Sequence, residues 1–172
     1  MTIYVCSLSR LESMVAHTSA RSVVSLTTGK TPLPDLARIE PANRLILTFN
    51  DIVEPTEGLI LPSAEHVSAL IDFARRWDRA APLLIHCWAG ISRSTAGAFI
   101  TACVQFPDHD EVRIAQALRR SSPFATPNPR MVALADEQLG RQGRMVRAIA
   151  AIGRGRDAME GVPFCLKLDE AL

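Results

Sequence analysis

At 172 residues with 48% hydrophobic side chains, the chain has the length of one domain, residues 1–172, and enough apolar material for a buried core. Nineteen basic against eighteen acidic side chains leave a formal charge of +1, which excludes a global field for nucleic acid or an anionic membrane, so any anion site is local. Four scattered cysteines without a CxxC pair, no basic leader in residues 1–11 and no run near the ~20 apolar residues of a membrane helix together predict a soluble protein of the reducing cytoplasm.

Ile3-Tyr4-Val5-Cys6 is a short β-branched apolar run and predicts a first strand; Ser9 and Glu12 then form a Ser-x-x-Glu capping box opening a helix with Leu11, Met14 and Val15. Residues 22–26 and 45–49 predict two more strands, separated by a loop over 27–43 long enough to suspect function. Lys30 and Arg38 on that loop are candidates for a substrate's acidic flanks, against the simpler reading of solvated loop charge. Ser63 caps a helix carrying Val67, Leu70, Ile71, Ala74 and Trp77 and ending near residues 80–82. Leu83-Leu84-Ile85 is continuous in apolar character, as expected of a central strand covered on both faces.

A helix is predicted from Gly90 to just before Pro107, another from Asp108 with Glu111 three positions on, and one long last helix after Pro129. The last has an apolar stripe of Val132, Ala135, Leu139, Met145 or Val146, and Ile149, with Arg141, Arg144 and Arg147 mostly on its polar, solvated side. Arg119 and Arg120 read as helix-end charges favoured by the dipole. The tail from Gly153 either packs back on the domain or meets a partner. Alternating strands and helices predict an α/β fold with a central, mostly parallel sheet of about four to five strands flanked by helices.

The chemistry concentrates in His86-Cys87-Trp88-Ala89-Gly90-Ile91-Ser92-Arg93-Ser94, between a predicted buried strand and a predicted helix. A loop closing onto a helix N-terminus turns several backbone N–H groups toward one point and adds the positive end of the dipole. Gly90 permits the necessary backbone geometry, and Arg93 adds a planar fork matching two phosphate oxygens. Cys87, at the base of this cradle, sits where an anionic sulfur is favoured.

This segment resembles the signature of the Cys-x5-Arg phosphatase superfamily, and its Ala-Gly-x-x-Arg-Ser part is closest to dual-specificity and bacterial tyrosine phosphatases. The resemblance implies the cysteine phosphatase fold. It makes Cys87 the nucleophile that forms a cysteinyl-phosphate, Arg93 the clamp on the equatorial oxygens, Ser94 the hydroxyl that helps sulfur leave, and His86 a supporting residue. Trp88 to Ser92 with Arg93 would form the phosphate-binding loop. Asp51, just after the strand over 45–49, takes the place of the general acid, with Glu54 and Glu57 as rivals farther along. Thr126-Pro127-Asn128 resembles a Pro-Asn element that braces the phosphate loop, which implies a supporting role for Asn128. No metal and no cofactor are implied.

A lone cysteine is more often a small buried hydrophobe than a nucleophile. That reading suits Cys103, and it suits Cys6 better than a redox-resolving role; at Cys87 the surrounding pattern outweighs it. His17, His66 and His109 fit no ligand pattern. The expected substrate is a phosphorylated protein or small phosphomonoester, phosphotyrosine first and phosphoserine or phosphothreonine second. The loop lacks the lysines that a polyanionic lipid headgroup would need. The alternatives are a catalytically silent phosphopeptide-binding protein and sulfur or arsenate redox chemistry on a similar loop. The excess of Arg over Lys and the high Ala content associate the chain with GC-rich bacteria.

Overall fold

The computed structural model describes residues 1–29 and 31–168, so Lys30 lies outside the described residues. The chain runs β1 (Thr2–Ser7), a 3-10 turn (Leu8–Arg10), α1 (Leu11–His17), β2 (Ser22–Thr27) and a second 3-10 turn (Pro41–Asn43). It continues through β3 (Arg44–Thr48), α2 (Ala64–Arg76), β4 (Leu83–Cys87), α3 (Arg93–Gln105) and α4 (Glu111–Ser121), then α5 (Pro129–Gln138), α6 (Arg144–Ile152) and β5 (Phe164–Lys167). The five strands form one sheet in the order β3-β2-β4-β1-β5, parallel except for β5, which runs antiparallel to β1. This is the mostly parallel α/β architecture expected from the alternation of strands and helices.

Strand β4 lies in the middle of the sheet, and all five of its residues are buried, which is why it reads as an unbroken apolar run. On one face its Leu83 and Ile85 join a core with Val67, Leu70, Phe99 and Ile100 from α2 and α3 and with Ile114, Leu118, Val132 and Met145 from α4 to α6. On the other, Leu84 packs with Cys6, Val23 and Leu11, and with Leu36 and Ile39 from the long loop. That loop therefore serves first as the cover of the second face, and Arg38 on it points to solvent as an exposed residue. Helix α3 is buried from Arg93 to Cys103, so the segment leaving the candidate loop is an interior helix with little freedom to shift.

Several local expectations need correction, each for a tertiary reason. Ser9 does not cap α1. A 3-10 turn intervenes, and the Ser9 hydroxyl instead donates to the Glu160 carboxylate, far along the chain. Helix α2 stops at Arg76, four residues before the predicted range, and the Trp77 indole N–H donates to the Ala81 carbonyl at 3.0 Å in the turn that follows. Helix α3 begins at Arg93 rather than Gly90, because residues 88–92 form the loop itself. Asp110, not Asp108, caps α4, accepting from Val112 N–H at 2.9 Å.

The predicted last helix is two. Gly140 and Gly143 have φ of +64° and +82°, left-handed conformations that end one helix and set up the next. Buried Asp136 of α5 then caps α6 through Met145 N–H at 2.7 Å. The break turns Arg141 inward, contrary to the solvated face expected for it. It donates to Glu111 at 3.2 Å, to the Cys103 carbonyl at 3.0 Å and to the Pro107 carbonyl at 2.6 Å, and Arg144 joins Glu111 at 3.2 Å. Arg119 also does more than face the dipole: it donates to the Gly153 carbonyl at 2.7 Å beyond the end of α6.

The tail packs back on the domain. Arg156 N–H reaches the Pro123 carbonyl at 2.9 Å, Gly161 N–H reaches the Ala89 carbonyl at 2.8 Å, and β5 then pairs with β1. Among the described residues, no helix is long and apolar enough to cross a membrane.

Candidate active site

Parallel pairing of β4 with β1 and β2 puts Cys87 beside Ser7, and His86 beside both Cys6 and Ser25, toward the C-terminal ends of these strands. The chain leaves Cys87, loops through Trp88 to Ser92 and enters α3 at Arg93. Gly90 has φ +73°, and a Cβ there would stand 2.8 Å from the Cys6 and Ser7 backbone. Both conditions demand glycine, and together they let the loop close tightly against the end of β1.

The closed loop brings donors onto the sulfur. Gly90 N–H points at Cys87 Sγ from 3.3 Å, and the Ser94 hydroxyl lies 3.1 Å from it. Arg93 is 3% exposed and uses Nη1 to donate to the Phe49 carbonyl at 2.8 Å, while its Nε–H has no partner. A buried guanidinium N–H without an acceptor is costly. It is thus an open donor in the crevice that Cys87 also lines. The Phe49 carbonyl was not legible beforehand, since a backbone acceptor at a strand end leaves no mark in residue type.

Asp51 lies across the loop from this group. Its Oδ1 accepts from the Ser92 hydroxyl at 2.7 Å and from Asn128 Nδ2 at 2.8 Å. The Asn128 side chain also accepts from Met131 N–H at 3.1 Å at the start of α5. The Asn128 side chain thus braces the carboxylate, while its backbone N–H donates to the Ser92 carbonyl at 3.4 Å and Thr126 N–H to the Ile91 carbonyl at 3.0 Å, so the Pro-Asn segment touches the loop through its backbone. Asp51, Ile52, Val53, Glu54 and Thr56 share one groove with Ser92 and Asn128. Within it Asp51 is the carboxylate that bonds to the loop, and Glu57 is not among the lining residues.

His86 lies under the loop, fully buried, with Nε2 2.8 Å from the Ser25 hydroxyl. Burial pushes its pKa down to about 4, a backbone contact with Cys87 opposing this and the charge of Arg93 adding to it. The neutral ring is therefore the folded form at neutral pH. Between about pH 6.5, its ordinary value, and 4, the unfolded chain binds the extra proton, so stability rises with pH and is lost as pH falls through that window. The expected loss from this residue is about 2 kcal/mol between pH 7 and 5. Urea unfolding of wild type and His86→Gln at both values checks it: the wild type should lose more stability than the variant by about that amount, and equal losses would refute it.

Cys6, one strand over, is buried, and burial with the nearby Cys87 and Glu160 charges pushes its thiol up to about 12. Cys103 is likewise raised, chiefly by burial. Both are core thiols in their protonated form, and Cys6 is not poised as a resolving thiolate.

No protein-family model matches the chain, and neither does any curated protein sequence. Among solved structures it is similar to the Cydia pomonella PTP-2 phosphatase, at TM-score 0.59 and 19% identity, over 78% of this chain and 84% of that one. It is similar to human DUSP28 at TM-score 0.58 and 17% identity, over 81% and 89%. It is also similar to PTPMT1, solved in complex with PI(5)P, at TM-score 0.59 and 14% identity, over 87% and 92%. The fold of the chain is thus that of the tyrosine and dual-specificity phosphatases.

Proposed function

We propose that the protein is a cysteine-dependent phosphatase that hydrolyses phosphotyrosine, and phosphoserine or phosphothreonine more slowly, through a cysteinyl-phosphate. The observation that carries this reading is the buried, unpartnered Nε–H of Arg93 in the same loop as Cys87 Sγ, which has a backbone N–H and a hydroxyl within hydrogen-bond range.

The Cys87 thiolate attacks phosphorus while the bond from phosphorus to the leaving oxygen breaks, and Asp51 delivers a proton to that oxygen. Arg93 and the loop N–H groups hold the equatorial oxygens as charge spreads over them. Water then attacks the cysteinyl-phosphate and gives its proton to Asp51. The sulfur–phosphorus bond breaks, and the Ser94 hydroxyl, 3.1 Å away, stabilises the departing thiolate. The loop's Trp88, Ala89 and Ile91 offer no cation for a second phosphate, which favours a singly phosphorylated substrate over a polyphosphorylated lipid. Four free cysteines and a catalytic sulfur that must stay reduced suit the cytoplasm.

The test is turnover of para-nitrophenyl phosphate by the reduced protein with excess chelator, followed by acid quench and peptide mapping. Chelator-insensitive turnover with a phosphoryl group trapped on Cys87 is the expected result. A reduced protein that binds phosphopeptides without turning them over would be a non-catalytic phosphopeptide reader instead.

A further inference from the structure

Beside the phosphoryl cradle lies a second groove that the hydrolytic steps do not use. It has a volume of about 240 Å3 and is lined by Leu8, Ser9, Trp88, Ala89, Met159 and Glu160. Trp88 and Leu8 form the partition, because both also line the narrow crevice that holds Cys87 and Arg93. An occupant of the groove would therefore sit one aromatic ring away from the phosphoryl group.

The walls are apolar and accessible, Trp88 being 67% and Met159 98% exposed, while the only charged lining residue is Glu160. The Glu160 carboxylate accepts from the hydroxyls of Ser7 and Ser9 through one oxygen. No ion pair engages it among the described residues. Those two hydroxyls, with Arg10 acting at longer range, hold its carboxyl below the ordinary carboxylate range.

The position of this charge is set by the phosphate loop itself. Gly161 N–H donates to the Ala89 carbonyl at 2.8 Å, and a Cβ on Gly161 would come within 2.9 Å of the Gly90 carbonyl oxygen. The arm that carries Glu160 is thereby fastened to the loop that holds phosphate. An aromatic face, a soft thioether and a fixed carboxylate form a receptor for a cationic side chain with an apolar stem.

Building on the phosphatase reading above, we propose that this groove is a substrate subsite that receives the Arg or Lys side chain flanking the phosphorylated residue of a peptide. The peptide source is favoured because the groove opens beside the crevice and not inside it, which suits a neighbouring side chain and suits less the short arm of a small zwitterionic ester.

The test uses phosphotyrosine peptides that differ only in having Arg, Ala or Glu on one side of the phosphotyrosine or the other, with para-nitrophenyl phosphate run alongside. For wild type, kcat/KM should follow Arg over Ala over Glu on one of the two sides, with Arg about five- to twentyfold above Ala, and the gap should shrink at high salt. Glu160→Gln keeps an acceptor oxygen for Ser7 and Ser9 and should bring the Arg-to-Ala ratio to within about twofold, as expected once the ion pair is gone; Glu160→Lys should reverse the order. Equal handling of the Arg and Ala peptides by wild type, or an Arg preference that survives Glu160→Lys, would overturn the proposal while turnover of para-nitrophenyl phosphate leaves the phosphatase reading standing. If no substrate is turned over, the same ratios are read as Kd, so the groove is tested apart from hydrolysis. A preference for phosphocholine over phenyl phosphate without any peptide effect would also overturn it, giving the groove to a small zwitterionic ester.

Discussion

Cys87→Ser is expected to lower turnover of para-nitrophenyl phosphate by more than roughly a thousandfold, equivalent to about 4 kcal/mol of transition-state stabilisation, while phosphopeptide binding persists. A serine hydroxyl is a poor nucleophile unless a base adjoins it. The groups around Cys87 Sγ are the Gly90 N–H, a donor, and the Ser94 hydroxyl, and neither is a base that could take the proton. His86 does not adjoin the sulfur through a hydrogen bond either: its Nε2 is engaged with Ser25 on a different strand, and its Nδ1 has no hydrogen-bond partner. The binding groups are untouched by the change. Arg93 remains anchored to the Phe49 carbonyl with its Nε–H free, and Gly90 keeps the loop closed on the end of β1. Calorimetric titration with a phosphotyrosine peptide should give a Kd within a few-fold of that of the wild type. Turnover that survives the substitution would remove sulfur from the mechanism, and loss of both binding and turnover would mean the loop had rearranged.

The candidate site was legible because its chemistry is contiguous. The cradle needs an apolar strand, a glycine-containing loop and a helix start in immediate succession, and residues 83–94 write all three next to one another. Asp51 was legible by a weaker signal, its place just past β3. Its fixing was not. The bonds from Ser92 and Asn128 depend on how the start of α5 approaches the loop, a contact between residues 77 positions apart along the chain. The local errors share this cause. Ser9 and Glu12 have the letters of a capping box, yet Glu160 takes the Ser9 hydroxyl from the far end of the sequence. Arg141 has the spacing of a solvated helix position, yet two left-handed glycines break the helix there and turn it toward Glu111. Local pattern predicts an element well and predicts the partner of a polar side chain poorly, since that partner is chosen by packing. The groove against Trp88 could not be anticipated at all, because Glu160 and Met159 meet the loop only once β5 has paired with β1.

Asp51→Asn is expected to lower kcat by roughly 10²–10⁴, the usual range for loss of a positioned general acid, and the loss should grow with the basicity of the leaving group. The amide keeps the size of the side chain and an oxygen for the bonds from Ser92 and Asn128, so the bracing survives while the transferable proton does not. A good leaving group such as para-nitrophenolate departs with little protonation. Phenolate and the tyrosyl oxygen of a peptide need the proton much more. Across a series of aryl phosphates, the logarithm of kcat/KM should therefore fall steeply with leaving-group pKa in Asp51→Asn and stay nearly flat in wild type. The pH profile carries a second signature: the limb reporting the protonated acid should be present in wild type and absent in the variant. If the two enzymes show the same leaving-group slope, Asp51 is not the acid. Glu54, in the same groove, then becomes the residue to substitute. Asn128→Ala separates placement from proton transfer. It removes one of the two bonds on Oδ1 and leaves the carboxylic acid in place, so it should lower kcat by a smaller factor than Asp51→Asn while retaining the acid limb of the profile.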